Sequence, residues 1–141
     1  MKKTIKTVHS IDAPVHKVWD YIQRGDGVEV WLPIVGSSRL EGTNRRFCTL
    51  QDGAPLEETI LKSDDLHIFM YSIDRQASFP VNRPMGTMRL ESSGEGTTLF
   101  WDLEFELIDE EAEAAFSAQV EEIYASAAQK LELLAKGQVA A

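Results

Sequence analysis

Ile11-Asp12-Ala13-Pro14-Val15-His16-Lys17-Val18-Trp19-Asp20 marks the point where the chain stops alternating and begins to coil. Before it, residues 2–11 alternate weakly between apolar and polar and predict a strand. Within and after it, Val15, Val18, Trp19 and Ile22 fall at i, i+3, i+4 and i+7, which is one face of a helix over 14–23. Pro14 suits the first turn of that helix, where its missing N–H has no intrahelical partner, and Asp12 is placed to cap it. Gly25-Asp26-Gly27 ends it.

Trp31-Leu32-Pro33 lies in a short second helix or turn over 28–35. After Gly36 come short strands over 37–42, 44–51, 55–63, 66–74, 83–92 and 97–107, separated by turn residues. Asp52-Gly53 is the strongest hairpin signal among them, and Ser63-Asp64-Asp65 and Ser93-Gly94-Glu95-Gly96 mark two further turns. The last strand has the clearest pattern. Thr97, Leu99, Trp101, Leu103, Phe105 and Leu107 share one face, and Thr98, Phe100, Asp102, Glu104 and Glu106 share a wet one. Asp109 then stands at the head of a long helix running to about Lys136, with Phe116, Val120, Ile123, Tyr124, Ala127, Leu131 and Leu134 as its apolar seam and Gly137 as its stop. A helix of some 28 residues spans roughly 40 Å and needs a whole sheet to cover its stripe. The order of elements predicts an α+β domain in which an antiparallel sheet curls around one helix.

Composition narrows the class of protein. The chain has 141 residues, enough for one domain (1–141) with a real core. It is 43% hydrophobic and 26% charged, a globular balance. Its net charge of −9 opposes nucleic-acid binding, and its basic residues are scattered. The stretch from Asp102 to Glu113 holds no Lys or Arg and reads as a solvated strand face followed by a helix start, with an acidic docking patch as the alternative. No apolar run approaches the ~20 residues of a membrane helix. The basic start of the chain has no apolar segment behind it, so no signal peptide is expected. With the single cysteine, Cys48, this makes the cytoplasm the expected location. His9, His16 and His67 lack metal-ligand spacing, no nucleophile or phosphate-loop motif appears, and no metal or cofactor is expected.

The opening I-D-A-P-x-x-x-V-W-D block resembles the start of the SRPBCC superfamily, the START-like and polyketide cyclase/dehydratase-like proteins. The resemblance continues through Trp31-Leu32-Pro33, the Arg46-to-Gly53 hairpin, Leu56-Glu57-Glu58, Tyr71-Ser72-Ile73, Gly96-Thr97 with Trp101, and the final helix. It implies a helix-grip fold: a curved antiparallel sheet wrapped around a long C-terminal helix, two short helices after the first strand, and a cavity between sheet and helix.

The resemblance also implies which residues line that cavity. Leu99 and Trp101 on the last strand and Phe116, Val120 and Tyr124 on the helix match inward positions, and their periodicity agrees. Arg46, Cys48 and Leu50 match an inward set, as do Glu57, Thr59 and Leu61, then Phe69, Tyr71 and Ile73; Met88 completes the ligand-binding set. For the fourth and fifth strands periodicity alone leaves Glu58 and Ile60, or Ile68 and Met70, equally able to face in. An inward Arg46 and Glu57 would form a charged pair in an apolar cavity, which stabilises little and so reads as functional; the alternative is a salt bridge that stiffens the hairpin. Tyr71 and Tyr124 offer hydroxyls to orient a ligand, or serve as core tyrosines. Trp31 reads as part of a lid or as a tucked helix end. Phe79-Pro80-Val81-Asn82-Arg83-Pro84 matches the gating loop of relatives, although Pro84 replaces their tyrosine-like residue.

Three functions follow. The favoured one is binding of a hydrophobic small molecule, aromatic or polyketide- or lipid-like, by a monomer or homodimer without membrane insertion. The second is an aromatase/cyclase or dehydratase, with Glu57 as general base and Arg46 or a tyrosine stabilising an enolate. The third is a protein-interaction module resembling chaperone activators, which a large exposed apolar patch would support.

Overall fold

The computed structural model of the chain describes residues 2–139. Seven strands, β1 (Lys2–Ile11), β2 (Val35–Glu41), β3 (Arg45–Leu50), β4 (Pro55–Ser63), β5 (Ile68–Arg75), β6 (Val81–Ser93) and β7 (Gly96–Leu107), form one curved antiparallel sheet in the order β1-β7-β6-β5-β4-β3-β2. Helix α1 (Val15–Ile22) and a 3₁₀ turn (Val28–Val30) follow β1, and helix α2 (Glu113–Ala135) closes the chain. The core fills the space between the sheet's inner face, α1 and α2, as a helix-grip fold requires.

Local sequence accounts for most of this. In α1 the residues buried are Val15, Val18, Trp19 and Ile22, the predicted face. On β7 the side chains of Thr97, Leu99, Trp101, Leu103 and Phe105 are buried, while Glu104 on the outer face pairs with Lys2 of β1 at 3.9 Å. Helix α2 stops in a Schellman turn: Gly137 has φ 69°, its N–H donates to Leu134 O, and the N–H of Gln138 donates to Leu133 O.

Both expected helix caps differ. Pro14, extended at φ −63° and ψ 149°, holds the cap position of α1, which leaves Asp12 two residues too early to reach the first turn. Asp12 instead ties β1 to the end of α2: its N–H donates to Glu132 Oε1 at 2.6 Å and its carboxylate meets Lys136 Nζ at 3.1 Å. Asp109 accepts from the N–H of Glu111, but the turn it caps is a 3₁₀ segment, Glu110–Ala112, and α2 begins after it.

The face of β4 is the larger correction. Leu56, Glu58 and Ile60 are buried, whereas Glu57 and Thr59 lie on the outer face and Leu61 is 70% exposed. The cause is the β3–β4 connection. The N–H of Gly53 donates to Leu50 O, and the N–H of Leu50 donates to Ala54 O, so the loop is three residues, Gln51-Asp52-Gly53, with Gly53 at φ 88°. A two-residue Asp-Gly turn would set Arg46 opposite Thr59; the three-residue loop sets it opposite Glu58. Residues directly opposite share a face, and a slip of one residue reverses every side chain of the strand. On β5, Phe69 and Tyr71 face in as expected.

Candidate functional site

A cavity of about 70 Å³ lies between the inner face of the sheet and α2. Its walls are apolar and aromatic: Trp31, Phe69, Met88 and Trp101 on one side, Phe116 and Val120 of α2 on the other. Leu32, Ile34, Ile73, Phe79 and Ile123 also border it and are only partly buried, so they form its rim. Four polar side chains reach it: Arg46, Glu58, Tyr71 and Tyr124.

Arg46 and Glu58 are opposite one another on β3 and β4, 4% and 2% exposed. Arg46 Nε donates to Glu58 Oε1 at 2.7 Å, and its Nη1 donates to the carbonyl of Gly25 at 3.0 Å, which fixes the end of α1 to the sheet. The guanidinium also lies 5.5 Å from the ring of Phe69 and 5.8 Å from that of Tyr71, within reach of a cation–π attraction. Burial works to lower the pKa of Arg46, but the charge of Glu58 and its hydrogen bond more than offset this, and the net shift is upward. The Cys48 thiol sits 3.6 Å from Glu58 Oε1 as a donor, and its pKa is pushed up to about 12, first by burial and then by the Glu58 charge. It is an inert thiol, because the thiolate is the reactive form.

Trp101, Tyr71 and Tyr124 form a second polar group. The indole N–H of Trp101 donates to Tyr71 Oη at 3.0 Å, and the two tyrosine hydroxyls lie 3.0 Å apart. Trp101 and Tyr124 stack with ring centroids 3.7 Å apart and an interplanar angle of 8°. Trp31 meets Trp101 edge-on at 6.0 Å, which makes it a wall of the cavity as well as a buried residue. Burial raises the pKa of both tyrosines, Tyr124 further because Tyr71 adjoins it, so both are neutral phenols at physiological pH. Two hydroxyl hydrogens share one mutual bond, and one is therefore left over for a third group.

Of the side chains expected at the site, Arg46, Phe69, Tyr71, Met88, Trp101, Phe116, Val120 and Tyr124 border the cavity. Leu99 does not: it is fully buried one pleat nearer the β6–β7 turn. Glu57 does not either. It projects from the outer face, where Arg75 Nη1 donates to its Oε2 at 2.8 Å and Arg45 Nη2 lies 3.7 Å from its Oε1. Glu58, left open beside it by the periodicity, holds the inward position. In the 79–84 segment, Phe79 and Pro84 both line the cavity, and Val81 already belongs to β6, which bulges between Asn82 and Met85 with Arg83 at φ 52°. Among the described residues no cluster of His, Cys, Asp or Glu could hold a metal ion, and no helix is long and apolar enough to cross a membrane. The exposed large apolar side chains are Val8 on β1, Leu61 on β4, Leu66 in the β4–β5 turn and Ile108 after β7; Val8 and Leu61 are separated by three strands, β7, β6 and β5.

Several solved structures share this fold. XoxI from Bacillus cereus superposes with a TM-score of 0.84 at 24% identity, covering 96% of each chain. An uncharacterized protein from Bacillus thuringiensis gives 0.84 at 25% identity, over 95% of this chain and 99% of that one. Ara h 8.0201 gives 0.75 at 13% identity, over 97% and 99%, a likeness of fold alone. No curated protein matches the sequence. The profile of the family described as polyketide cyclase / dehydrase and lipid transport matches residues 2–136, nearly the whole chain. The chain thus belongs to the polyketide cyclase/dehydrase and lipid-transport family of the SRPBCC superfamily.

Proposed function

We propose that this protein binds a small apolar molecule in the cavity between the sheet and α2. The observation that carries the reading is the composition of that cavity: an aromatic and aliphatic lining with one buried ion pair and one pair of tyrosine hydroxyls. Apolar walls supply affinity, and a few fixed polar groups set orientation. An ion pair buried among apolar groups stabilises a fold little compared with well-packed hydrophobic residues, which argues that Arg46 and Glu58 serve a ligand.

The volume sets a condition on binding. About 70 Å³ holds a few waters, whereas roughly 150 Å³ accommodates benzene and drug-sized ligands occupy ~300–1,000 Å³. A ligand of that size enters by displacing the partly buried rim at Leu32, Ile34, Ile73, Phe79 and Ile123. These side chains belong to the 3₁₀–β2 connection, the end of β5, the loop before β6, and α2. Native mass spectrometry of protein purified from cells tests the reading. A small molecule bound at one per chain, and lost from the Val120→Trp variant, is the expected result. A molecule retained equally by that variant would place binding outside the cavity.

A further inference from the structure

We infer that the cavity recognises a neutral head group that both donates and accepts hydrogen bonds, an amide or a hydroxy-carbonyl, rather than a carboxylate. The inference rests on the binding reading above and deepens it. It follows from counting the hydrogen-bonding capacity at the polar wall. Arg46 uses Nε on Glu58 and Nη1 on Gly25, and no described residue accepts from its Nη2. Glu58 receives Arg46 and Cys48 on Oε1, and no described residue donates to its Oε2. The one buried side-chain polar atom sealed away without a partner, among the described residues, is Arg45 Nε on the outer side of β3. Glu58 Oε2 and Arg46 Nη2 therefore keep accessible surface, and both side chains line the cavity. The tyrosine pair contributes one spare hydroxyl hydrogen. Trp101 donates into Tyr71, and whichever hydroxyl donates in the tyrosine pair, the other keeps its hydrogen free.

The wall thus presents spare donors on Arg46 and on the tyrosine pair and a spare acceptor on Glu58, and its formal charge is zero. Its cation is already matched by Glu58 at 2.7 Å. An ionised carboxylate would bring a second negative charge beside Glu58 with no second cation to meet it, and buried like charges repel strongly. It would also leave Glu58 Oε2 without a donor. A carbonyl oxygen accepts from Arg46 or from the spare hydroxyl of the tyrosine pair, and an N–H or O–H on the same head group donates to Glu58. The apolar body of the ligand then extends toward the rim.

Titration with three probes of one chain length tests this: hexanamide, methyl hexanoate and hexanoate, at neutral pH, read by the NMR signal of the Trp101 indole N–H. Hexanamide is expected to bind about tenfold or more tighter than either of the others, since a hydrogen bond to a charged group contributes at least the ~1.4 kcal/mol that equals a factor of ten. In Glu58→Gln the order of hexanamide and hexanoate should reverse, because Arg46 loses its counter-charge. If hexanoate or methyl hexanoate binds the parent as well as hexanamide does, the inference is wrong and the cavity still binds ligands. If none of the three moves the indole signal, the binding reading itself fails. The ratio in the parent decides the matter even if the variant does not fold.

Discussion

The ring of Tyr71 packs against Gly86, its directly opposed partner on β6, so closely that a β-carbon on Gly86 would stand 2.0 Å from Tyr71 Cζ. No residue with a side chain fits there while Tyr71 holds its place. That place is what brings its hydroxyl within 3.0 Å of both Trp101 Nε1 and Tyr124 Oη. The polar end of the cavity thus depends on the glycine opposite Tyr71.

Gly86→Ala should rotate Tyr71 away and break both hydrogen bonds. Overpacking of this kind costs about 1–3 kcal/mol. Denaturant titration reads the loss, and the indole N–H proton of Trp101 should move toward the position of an unbonded donor. Unchanged stability together with an unchanged indole signal would show that the ring does not need the space.

Arg46 and Glu58 should behave as a unit. Removing either alone, as Arg46→Met or Glu58→Gln, leaves an uncompensated buried group and should cost ~3–5 kcal/mol; removing both should be much milder. Glu57→Gln, on the outer face, should change stability by about 1 kcal/mol or less. A double-mutant cycle with coupling near zero for Arg46 and Glu58 would contradict the buried pair.

The inward faces of α1 and β7 are legible in the sequence because a single period runs through Val15–Ile22 and Thr97–Phe105 and each element buries one face. The face of β4 is not, because apolar and polar residues do not alternate cleanly there and its parity depends on whether the hairpin loop has two or three residues. Asp-Gly is compatible with both, and only the Leu50–Ala54 bond decides. Glu57 is the residue that matches an inward position of the family, and the three-residue loop places Glu58 there instead. Gly86 is silent for another reason. A glycine inside a strand signals a close approach, but what approaches it is known only once β5 and β6 are in register.

Alkaline pH should destabilise the fold. The Cys48 thiol is raised from 9.0 to about 12, and Tyr71 and Tyr124 are also raised by burial. Above about pH 9 the unfolded chain loses these protons while the folded chain keeps them, so the folded state binds more protons and stability falls as pH rises. The Cys48 contribution is fully present below pH 9.0 and is lost as pH climbs toward about 12. Thermal melts across that window check the slope, and Cys48→Ala should flatten it. A slope identical in parent and variant would mean that the thiol titrates normally.

Trp101→Ala should cost about 3–5 kcal/mol, since it removes a large, fully buried side chain together with its stack on Tyr124 and its bond to Tyr71. Chemical denaturation measures this, and a loss below about 1 kcal/mol would place Trp101 outside the core.

The most direct test of the central claim is binding of an environment-sensitive apolar dye to the parent and to Phe116→Trp and Val120→Trp, two variants that fill the space between α2 and the sheet. With a ligand cavity there, the parent binds dye at a saturable site while remaining cooperatively folded, and both variants lose that binding without unfolding. Variants that stay folded and bind dye as the parent does would put the dye on the surface and contradict the cavity as the site of function.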